Sequence, residues 1–424
     1  MVFKCQEDCF LKEYTSKVIS CQYATLDYTS PGENDAKQLR GFNVILNDTI
    51  LFPEGGGQPC DYGTINGQPV RSVLRKAAEA VHFVESSESF EVGAEAKLKL
   101  DWLRRFDHMQ QHSGQHLITA LFDQEFNYDT TSWWLGTESS YIELNTSHLI
   151  SRESLDHIER IANELIVEGR PVSVLMVDPE IAIEFQDNRA PRGLPKDHVG
   201  MARLVRIEGV ESNMCCGTHV SNISQLQTVK LLHAEKTKDK IYVHFVVGGR
   251  VLKKLGDCYQ RELQMNLMLK GGPTQHAELV QKLQSNLKSA QKISQKLLKE
   301  IATSEADKLE NMSEPRPKYY TLHRKDGIEP DFINTFLRNA PEEVFYFLTV
   351  SEAGGKGHMV LRGEPELVQK FGPLFVDMLK GKGYGKENSF QAKVNDVSYI
   401  SECNALLEEH FKFDFDGLNG SKYL

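Results

Sequence analysis

Apolar and polar positions alternate over short runs through the first hundred residues, which is the pattern of half-buried β-strands. Two apolar runs, at residues 41–46 and 49–52, are bounded by turn residues and predict strands. Asn66 and Gly67 form the dipeptide that is most typical of a two-residue β-hairpin turn. The pattern predicts a small β-barrel over residues 1–100.

From about residue 101 to residue 250, helical periodicity comes first and strand-like runs follow. Asp107 and Gln110 have the spacing of a capping box and predict a helix start, with an apolar stripe through residues 108–122. Apolar residues at intervals of three and four predict a second helix over residues 152–168. Strands are predicted at residues 172–177, 202–207, 226–232 and 241–247. This mixture is typical of an α+β domain.

Residues 251–312 have a helical pattern that Gly271, Gly272 and Pro273 interrupt. The second helix carries apolar residues near heptad spacing, at positions 280, 283, 287, 290, 297 and 301. Two arrangements fit this pattern: an antiparallel hairpin that packs on itself, or a homodimer contact. Pro315 and Pro317 mark a linker, and residues 313–424 are predicted to form a C-terminal α/β domain.

The composition is that of an ordinary globular protein, with 424 residues, 40% hydrophobic and 25% charged. No apolar run approaches the roughly 20 residues of a membrane span, and the N-terminus lacks the pattern of a secretory signal. Eight cysteines are too widely spread for a disulfide framework. We expect a cytoplasmic protein with no membrane partner.

The net charge of −10 argues against broad electrostatic binding to nucleic acid. Local basic clusters are still present in the second half of the α+β region. They are Arg189, Arg192, Lys196, Arg203 and Arg206, and then Lys230, Lys236, Lys238 and Lys240. The two clusters lie on either side of a Cys/His motif. A local contact with phosphates is therefore compatible with the negative net charge of the chain.

Two short motifs place imidazoles and a thiol at the spacing of metal ligands. His112 and His116 are four residues apart, on one face of the predicted helix. Cys215 and His219 repeat that spacing in a segment where Gly217 favours a loop. Three imidazoles and one thiolate suit Zn²⁺. The two motifs together predict one zinc site.

Alternatives remain for the ligands and for the role of the site. His108 also lies four residues from His112, but the predicted first turn would leave it exposed, and Cys216 competes with Cys215. Four protein donors could close the coordination sphere of a structural zinc. Cys215 could also be the nucleophile of a hydrolase that needs no metal.

The segment Phe-Pro-Glu-Gly-Gly-Gly-Gln-Pro at residues 52–59 is the most unusual part of the predicted barrel. Its three glycines could let the backbone approach another surface closely or form an anion-binding nest. A plain flexible loop is the alternative.

The residues around both metal motifs carry a family resemblance. Residues 104–118, Arg-Arg-Phe-Asp-His-Met-Gln-Gln-His-Ser-Gly-Gln-His-Leu-Ile, resemble the first editing motif of alanyl-tRNA synthetase. Residues 205–220, Val-Arg-Ile-Glu-Gly-Val-Glu-Ser-Asn-Met-Cys-Cys-Gly-Thr-His-Val, resemble the second. The glycine-rich segment resembles a motif upstream of that editing domain. Residues 1–250 are most similar to the freestanding alanyl-tRNA editing proteins, the AlaX family, in their long form, and residues 381–392 resemble the end of the synthetase more weakly.

This resemblance implies editing without charging, since no aminoacylation domain precedes the barrel. The expected reaction is hydrolysis of Ser-tRNA(Ala), and in some members of Gly-tRNA(Ala), while Ala-tRNA(Ala) is spared. The resemblance also implies one Zn²⁺ per chain, held by His112, His116, Cys215 and His219. The basic clusters would then contact the tRNA backbone.

Two further expectations follow from the resemblance. The family keeps a hydroxyl-bearing residue after the metal helix, so Thr130, Thr131 and Ser132 are candidates for recognising the serine hydroxyl, with the first two preferred. The family usually has Cys-Gly-Gly-Thr-His, whereas this chain has Cys216 in place of the first glycine. If that glycine needs a positive φ, the loop differs here.

The expected fold class is therefore α+β, in four parts. These are an N-terminal small β-barrel (1–100), a zinc-containing α+β editing domain (101–250), a helical hairpin (251–312) and a C-terminal α/β domain (313–424). The alternative function is a non-catalytic tRNA-binding protein with a structural zinc.

Overall fold

A computed structural model describes residues 2–29, 35–178, 201–238, 240–312, 315–325, 330–352 and 355–419. It is a mixed α+β fold, as predicted, and the chain divides into two compact units, Met1–Gln264 and Met265–Leu424. The finer division into four domains remains a prediction. None of the described helices is long and apolar enough to cross a membrane.

The first unit begins with a short helix and a closed six-stranded sheet. The helix is α1 (Lys4–Glu7), and the strands are β1 (Glu13–Tyr28), β2 (Lys37–Leu46), β3 (Gly63–Ile65), β4 (Gln68–Lys76), β5 (Glu79–Val84) and β6 (Glu95–Leu100). The strands form a closed barrel in the order β1-β2-β5-β4-β3-β6, because β1 pairs with β2 and also with β6. Asn66 and Gly67 both have positive φ and make the predicted turn between β3 and β4.

The prediction of a strand at residues 49–52 is wrong. The segment is buried but irregular. Its backbone N–H groups bond to side chains instead of to a neighbouring strand: the N–H of Leu51 donates to the Thr49 hydroxyl, and that of Phe52 donates to the Asp61 carboxylate. An apolar run is enough to predict burial here, but the hydrogen-bond partners decide the conformation.

Helix α2 (Trp102–Phe126) follows the barrel and starts earlier than predicted. Asp101 caps it and accepts the N–H of Arg104, so Asp107 lies inside the helix and makes no N-cap. The aromatic rings of Trp102 and Phe106 stack with their centres 5.5 Å apart in the additional first turn. The predicted apolar stripe from Leu117 onward is buried.

Two further sheets and a helix complete the first unit. The elements are β7 (Thr130–Leu135), β8 (Ser140–Leu144), α3 (Arg152–Glu168), β9 (Val172–Val177), β10 (Ala202–Ile207), β11 (Glu211–Met214), β12 (Val229–Thr237) and β13 (Lys240–Val247). One sheet has four strands in the order β12-β13-β8-β7, and the other has three in the order β11-β10-β9. Helices α2 and α3 share one buried apolar core with the four-stranded sheet. The strand predicted from residue 226 starts only at Val229, because Ile223–Leu226 is a 3₁₀ turn.

Helix α4 (Gly249–Leu269) runs from the first unit into the second. The second unit then contains α5 (His276–Glu310), β14 (Tyr319–Arg324), α6 (Pro330–Asn339), β15 (Phe345–Ser351), β16 (Gly357–Arg362), α7 (Pro365–Met378), β17 (Lys382–Lys386), β18 (Ser389–Val394) and α8 (Ile400–Asn419). The sheet order is β14-β15-β16-β18-β17, with only the β14–β15 pair parallel. Apolar residues at the near-heptad positions of α5 are mostly exposed. The self-packed hairpin and the dimer contact both remain predictions.

Candidate metal centre

Helix α2 brings two of the predicted ligands into the interior of the first unit. His112 and His116 lie one turn apart, and both are buried. The helix can approach β13 closely because residue 114 is glycine: a Cβ there would lie 2.5 Å from a methyl carbon of Val247. Helical spacing and close packing therefore direct both imidazoles into one enclosed place.

The thiol and the third imidazole come from the loop after β11. The N–H of Cys215 donates to the carbonyl of Arg203, and the N–H of Gly217 donates to the Cys215 sulfur at 3.3 Å. A Cβ at residue 217 would collide with the His112 ring, so only glycine fits there. His219 follows and is buried.

The four predicted ligand side chains meet at one point. Cys215 Sγ lies 3.4 Å from Nε2 of His112 and 3.3 Å from Nε2 of His219. The ring centres of the three histidines are 4.5 to 5.2 Å apart. With one donor atom taken from each of the four side chains, all four atoms lie within 4.8 Å of one another. We call His112, His116, Cys215 and His219 the His/Cys cluster.

Each imidazole of the His/Cys cluster is oriented by a partner at Nδ1. The partners are Gln58 Oε1 for His112 at 3.0 Å, Glu211 Oε1 for His116 at 2.6 Å, and Ser113 Oγ for His219 at 3.0 Å. When Nδ1–H donates to these oxygens, the lone pair of Nε2 is left for a shared ion. This second layer of contacts is typical of metal sites.

Gln58 connects the barrel to the cluster and was missed by the sequence analysis. Its Oε1 also accepts the N–H of Thr218 at 3.0 Å, and its Nε2 donates to the Thr218 hydroxyl at 2.8 Å. Its place at the end of the glycine-rich segment was the only signal in the sequence. Glu211 and Ser113 were also missed, because no spacing rule distinguishes them from other polar neighbours of the motifs.

The electrostatic surroundings favour a bound cation. Burial opposes ionisation of Cys215, but the charges of His112 and His219 outweigh it and hold the pKa of the thiol well below its ordinary range. Burial also opposes a proton on His116, yet Glu211 and Cys215 raise the pKa of this imidazole to about 10. A metal ion bound by the cluster would take the place of this proton beside the thiolate and the carboxylate.

The dimensions of the cluster also fit zinc. With Zn–S about 2.3 Å and Zn–N about 2.05 Å, a tetrahedral site separates sulfur from nitrogen by about 3.6 Å. The two separations of Cys215 Sγ from imidazole nitrogens, 3.4 and 3.3 Å, are close to this value. The residues present could therefore hold Zn²⁺ with little rearrangement.

His108 differs from its sequence prediction. It was expected to be exposed at the start of the helix, but the earlier start of α2 makes it interior, and it is 2% exposed. Neither of its ring nitrogens has a hydrogen-bond partner among the described residues. Burial lowers its pKa to about 3, so the ring is neutral. It is not part of the His/Cys cluster.

Cys216 points toward the glycine-rich segment and does not compete with Cys215 for the cluster. Its sulfur lies 2.9 Å from the position that a Cβ of Gly56 would take, and burial raises the pKa of its thiol to about 11. Cys216 is absent from the described residues with positive φ, so the departure from the family glycine does not strain the backbone.

The glycine-rich segment makes a close approach to the sheet. Gly56 and Gly57 have φ of 60° and 81°, and a Cβ on Gly57 would lie 2.5 Å from the indole nitrogen of Trp133. That nitrogen donates to the carbonyl of Gly56 at 3.1 Å. Of the three interpretations of this segment, close approach to another surface is the one that the contacts support.

A small pocket lies beside the cluster. It is lined by Gln115, His116, Thr119, Thr130, Trp133, Glu211, Asn213, Met214 and Cys215. Three buried oxygens of these residues have no hydrogen-bond partner within the described part of the chain: Gln115 Oε1, Glu211 Oε2 and Asn213 Oδ1. All three are acceptors, so the pocket is suited to a ligand that donates several hydrogen bonds.

The two preferred threonines lie in different places. Thr130 lines the pocket, and its hydroxyl donates to that of Thr119 at 3.2 Å. The hydroxyl of Thr131 instead donates to the carboxylate of Glu143. Of the two, only Thr130 is placed to meet a ligand beside the cluster.

Comparisons with known proteins show the family to which the chain belongs. Residues 202–242 match the family described as the threonyl and alanyl tRNA synthetase second additional domain. The chain is 44% identical to the alanyl-tRNA editing protein Aarsd1-A of Xenopus laevis, over 96% of this chain and 98% of that protein. It is also 44% identical to Aarsd1 of Mus musculus, over 97% and 98%. The chain belongs to the family of alanyl-tRNA editing proteins.

More distant relatives extend this family similarity. The putative alanyl-tRNA editing protein alaX of Saccharomyces cerevisiae is 27% identical, over 97% of this chain and 96% of that protein. The alanine–tRNA ligase of Pyrococcus abyssi is 27% identical over 89% of this chain but only 43% of the ligase. An alanyl-tRNA editing protein of this kind thus aligns with a part of a synthetase.

Several of the described basic residues of this editing protein are buried or bonded within the protein. Arg189, Arg192 and Lys196 lie outside the described residues. The prediction that Arg203 contacts the tRNA backbone is wrong: its guanidinium is buried and donates to the backbone oxygens of Gln6 and Cys215. Other members of the clusters bond within the protein: Lys230 to Glu159, Lys236 to the Ser147 carbonyl, and Lys240 to Glu143.

Proposed function

We propose that this protein hydrolyses the aminoacyl ester of tRNA(Ala) mischarged with serine, with the glycine ester as a further substrate, and spares Ala-tRNA(Ala). The observation that carries the proposal is the pocket of unpaired acceptors beside the His/Cys cluster. The names of the relatives support the editing of alanyl-tRNA. Serine, glycine and the reaction itself belong to the proposal.

We further propose that His112, His116, Cys215 and His219 hold one Zn²⁺ per chain. When bound there, zinc would supply a Lewis acid that favours attack of water on an ester carbonyl. The side chains of Gln58, Ser113 and Glu211 fix the three imidazoles for this purpose through Nδ1.

The pocket residues act on the substrate through hydrogen bonds. An aminoacyl ester carries an ammonium group, and a seryl ester adds a hydroxyl, so the substrate is rich in donors. The amide oxygens of Gln115 and Asn213, which have no partner among the residues that the structure describes, would accept from them. Thr130 lines the pocket, and its hydroxyl would meet that of serine.

Glu211 has two tasks in this proposal. Its Oε1 accepts from Nδ1 of His116, while its buried Oε2 has no partner among the described residues, and the residue lines the pocket. Oε2 would accept a proton from the attacking water. The water oxygen bonds to the carbonyl carbon, the bond from that carbon to the ribose oxygen breaks, and the ribose oxygen leaves with a proton.

Selectivity for serine over alanine would rest on the serine hydroxyl. A site built to hydrogen-bond a hydroxyl can reject the analogue that lacks it by roughly 10⁴-fold, because buried polar groups are then left unpaired. The three pocket oxygens that have no partner among the described residues support such a penalty here. The glycyl ester would enter the pocket only because it is small, so it would be discriminated from the alanyl ester less strongly than the seryl ester is.

The decisive experiment is deacylation of tRNA(Ala) carrying serine, glycine or alanine by the purified full chain. We expect hydrolysis of the seryl ester and protection of the alanyl ester. His116→Ala should abolish the reaction, whereas His148→Ala, an exposed imidazole, should leave it unchanged. Equal rates on seryl and alanyl esters, or full activity of His116→Ala, would contradict the proposal.

The alternative, a tRNA-binding protein with a structural zinc, is favoured by one observation: four protein donors are enough to close the coordination of zinc. A chelator separates the two. If deacylation stops while far-UV circular dichroism is unchanged, the metal is catalytic; if the protein unfolds, it is structural. Activity that survives metal removal and is lost on alkylation would indicate Cys215 as a nucleophile.

Two further proposals concern the surroundings of the protein. All eight cysteines are free, which supports a reducing compartment such as the cytoplasm.

Exposed apolar residues on α5, among them Leu283, Leu287 and Leu297, support a homodimer through the helical region. Light scattering of the full chain would test the dimer, since a monomeric mass at micromolar concentration would exclude it under those conditions.

A further inference from the structure

A second group of metal-binding side chains lies on the four-stranded sheet, outside the His/Cys cluster. His233 and Glu235 are on β12, and His244 is on β13. One donor atom from each of the three lies within 4.8 Å of the others. His233 and Glu235 are exposed and His244 is half-buried, so an ion could reach the group from solvent.

A β-bulge is the reason why the two imidazoles face each other. Leu231 pairs with Phe245, but the next pair along the ladder is His233 with His244, so β12 contains one extra residue, Leu232. Without the bulge, Leu232 would lie opposite His244. Bulges often redirect side chains in this way. Here the bulge places two imidazoles directly across from one another on neighbouring strands.

The geometry within the group is compact. The rings of His233 and His244 are stacked, with centres 4.5 Å apart and planes 9° apart. Glu235, two residues after His233 and therefore on the same face of β12, has Oε1 at 3.2 Å from Nε2 of His244. The ring of Tyr141 packs against His244 with centres 5.6 Å apart and restricts its rotation. Two imidazoles and a carboxylate are therefore held together before any ion binds.

We propose that His233, His244 and Glu235 form a second metal site for a divalent transition ion that prefers imidazole ligands, of which Zn²⁺ is the test case. Imidazole suits zinc, copper, nickel and iron, and two histidines with one carboxylate leave open positions for water. The proposal does not depend on the proposed deacylase function, because it shares no residue with the His/Cys cluster. With three donors and partial exposure, the site binds more weakly than the cluster.

Counting bound zinc tests this site. The full chain, with its tight site filled, is titrated with Zn²⁺ at pH 7.5 by isothermal calorimetry and by atomic absorption after gel filtration. We expect one additional equivalent in the wild type and none in His233→Ala or His244→Ala. Glu235→Gln should keep the imidazole pair and bind the second ion with lower affinity.

His157→Ala is the matched control. His157 is also a partly exposed imidazole that pairs with a carboxylate, Glu125, at 2.8 Å, but among the described residues it belongs to no group of three potential metal ligands. This variant should keep the additional equivalent. Absence of a second equivalent from the wild type would overturn the proposal, as would its persistence in the double variant of His233 and His244. Unchanged circular dichroism in the variants separates loss of a ligand from loss of the fold.

Discussion

At the scale of single residues, the site depends on side chains that lie outside the two metal motifs. Gln58 is the clearest case, since it accepts from His112 and is also bonded twice to Thr218. One amide thus fixes a ring on α2 and the loop that carries His219. The sequence alone could predict the donors, because their spacing is periodic, but it could not predict a partner brought in from the barrel.

Replacing Gln58 by leucine should weaken zinc binding without removing any proposed ligand. Loss of the partner at Nδ1 of a metal-binding histidine typically lowers metal affinity by about 10- to 100-fold. Competition with a chromophoric chelator measures this affinity directly. Gln68→Leu, at an exposed position on β4, is the control and should bind as the wild type does. Equal affinity in both variants would show that Gln58 does not orient the ring.

Buried His82 gives the folded protein a pH dependence that can be measured. Its Nδ1 lies 3.0 Å from the Val44 carbonyl and its Nε2 lies 2.8 Å from the Thr49 hydroxyl, and burial lowers its pKa from 6.5 to about 4. Between these pH values the unfolded chain takes up a proton that the folded chain does not. The free energy of unfolding therefore falls as pH falls from 6.5 to 4, by about 3 kcal/mol from this group.

Urea unfolding of the wild type and of His82→Gln across this pH range checks the prediction. In the variant, the slope of the unfolding free energy against pH should be smaller by about 1.4 kcal/mol per pH unit. This is the value that the linkage relation gives for uptake of one proton. His148→Gln, which alters an exposed imidazole, should keep the slope of the wild type. An unaltered slope in His82→Gln would mean that this ring titrates in the folded state as it does in the unfolded chain.

At the scale of elements, periodicity predicted most helices and strands, and hydrogen-bond partners explain the exceptions. Helix α3 begins and ends where its apolar spacing indicates. Helix α2 starts earlier, because Asp101 supplies the cap that Asp107 was expected to supply. Residues 49–52 are buried without forming a strand, because Asp61 and Thr49 satisfy their N–H groups. Where a helix starts, and whether a buried segment forms a strand, thus depends on which polar groups of other segments bond to its backbone.

Arg105 joins α2 to the barrel through a buried ion pair with Asp61. Its guanidinium also donates to the carbonyls of Cys9 and Ile50 at 2.9 and 2.6 Å. Asp61→Ala should lower the free energy of unfolding by about 3 to 5 kcal/mol, because it leaves the guanidinium buried without its counter-charge. Chemical denaturation measures the loss. Glu13→Ala removes an exposed ion pair with Lys99 and should shift the midpoint little.

At the scale of the whole molecule, each of the two units has its own buried apolar core. Leu117, Ile142 and Phe245 belong to a core of the first unit, whereas Phe347 and Phe375 belong to one of the second. The His/Cys cluster lies wholly in the first unit. The pattern of predicted elements gave limits for four domains but did not indicate a division at residue 264, because helix α4 carries the chain across it.

Zinc should therefore raise the melting temperature of one transition and not of another. A ligand stabilises only the cooperative unit that binds it, by about 2.7 kcal/mol when its concentration is 100 times the Kd. Differential scanning calorimetry of the full chain with and without zinc is the measurement. His116→Ala should lose the shift. A single transition that moves as a whole would show that the two units unfold together.

The long reach of Gln58 has a consequence for biosynthesis. Its contact with Thr218 spans 160 residues of chain. During translation, His112 and His116 on α2 leave the ribosome well before Cys215 and His219. A nascent chain at that stage contains two of the four proposed ligands and lacks the other two. The complete set of donors exists only after residue 219 has been made and the loop has closed on the barrel. Loading of the proposed zinc would thereby be a late step, and a chain that stops before Cys215 would lack two of the four proposed ligands.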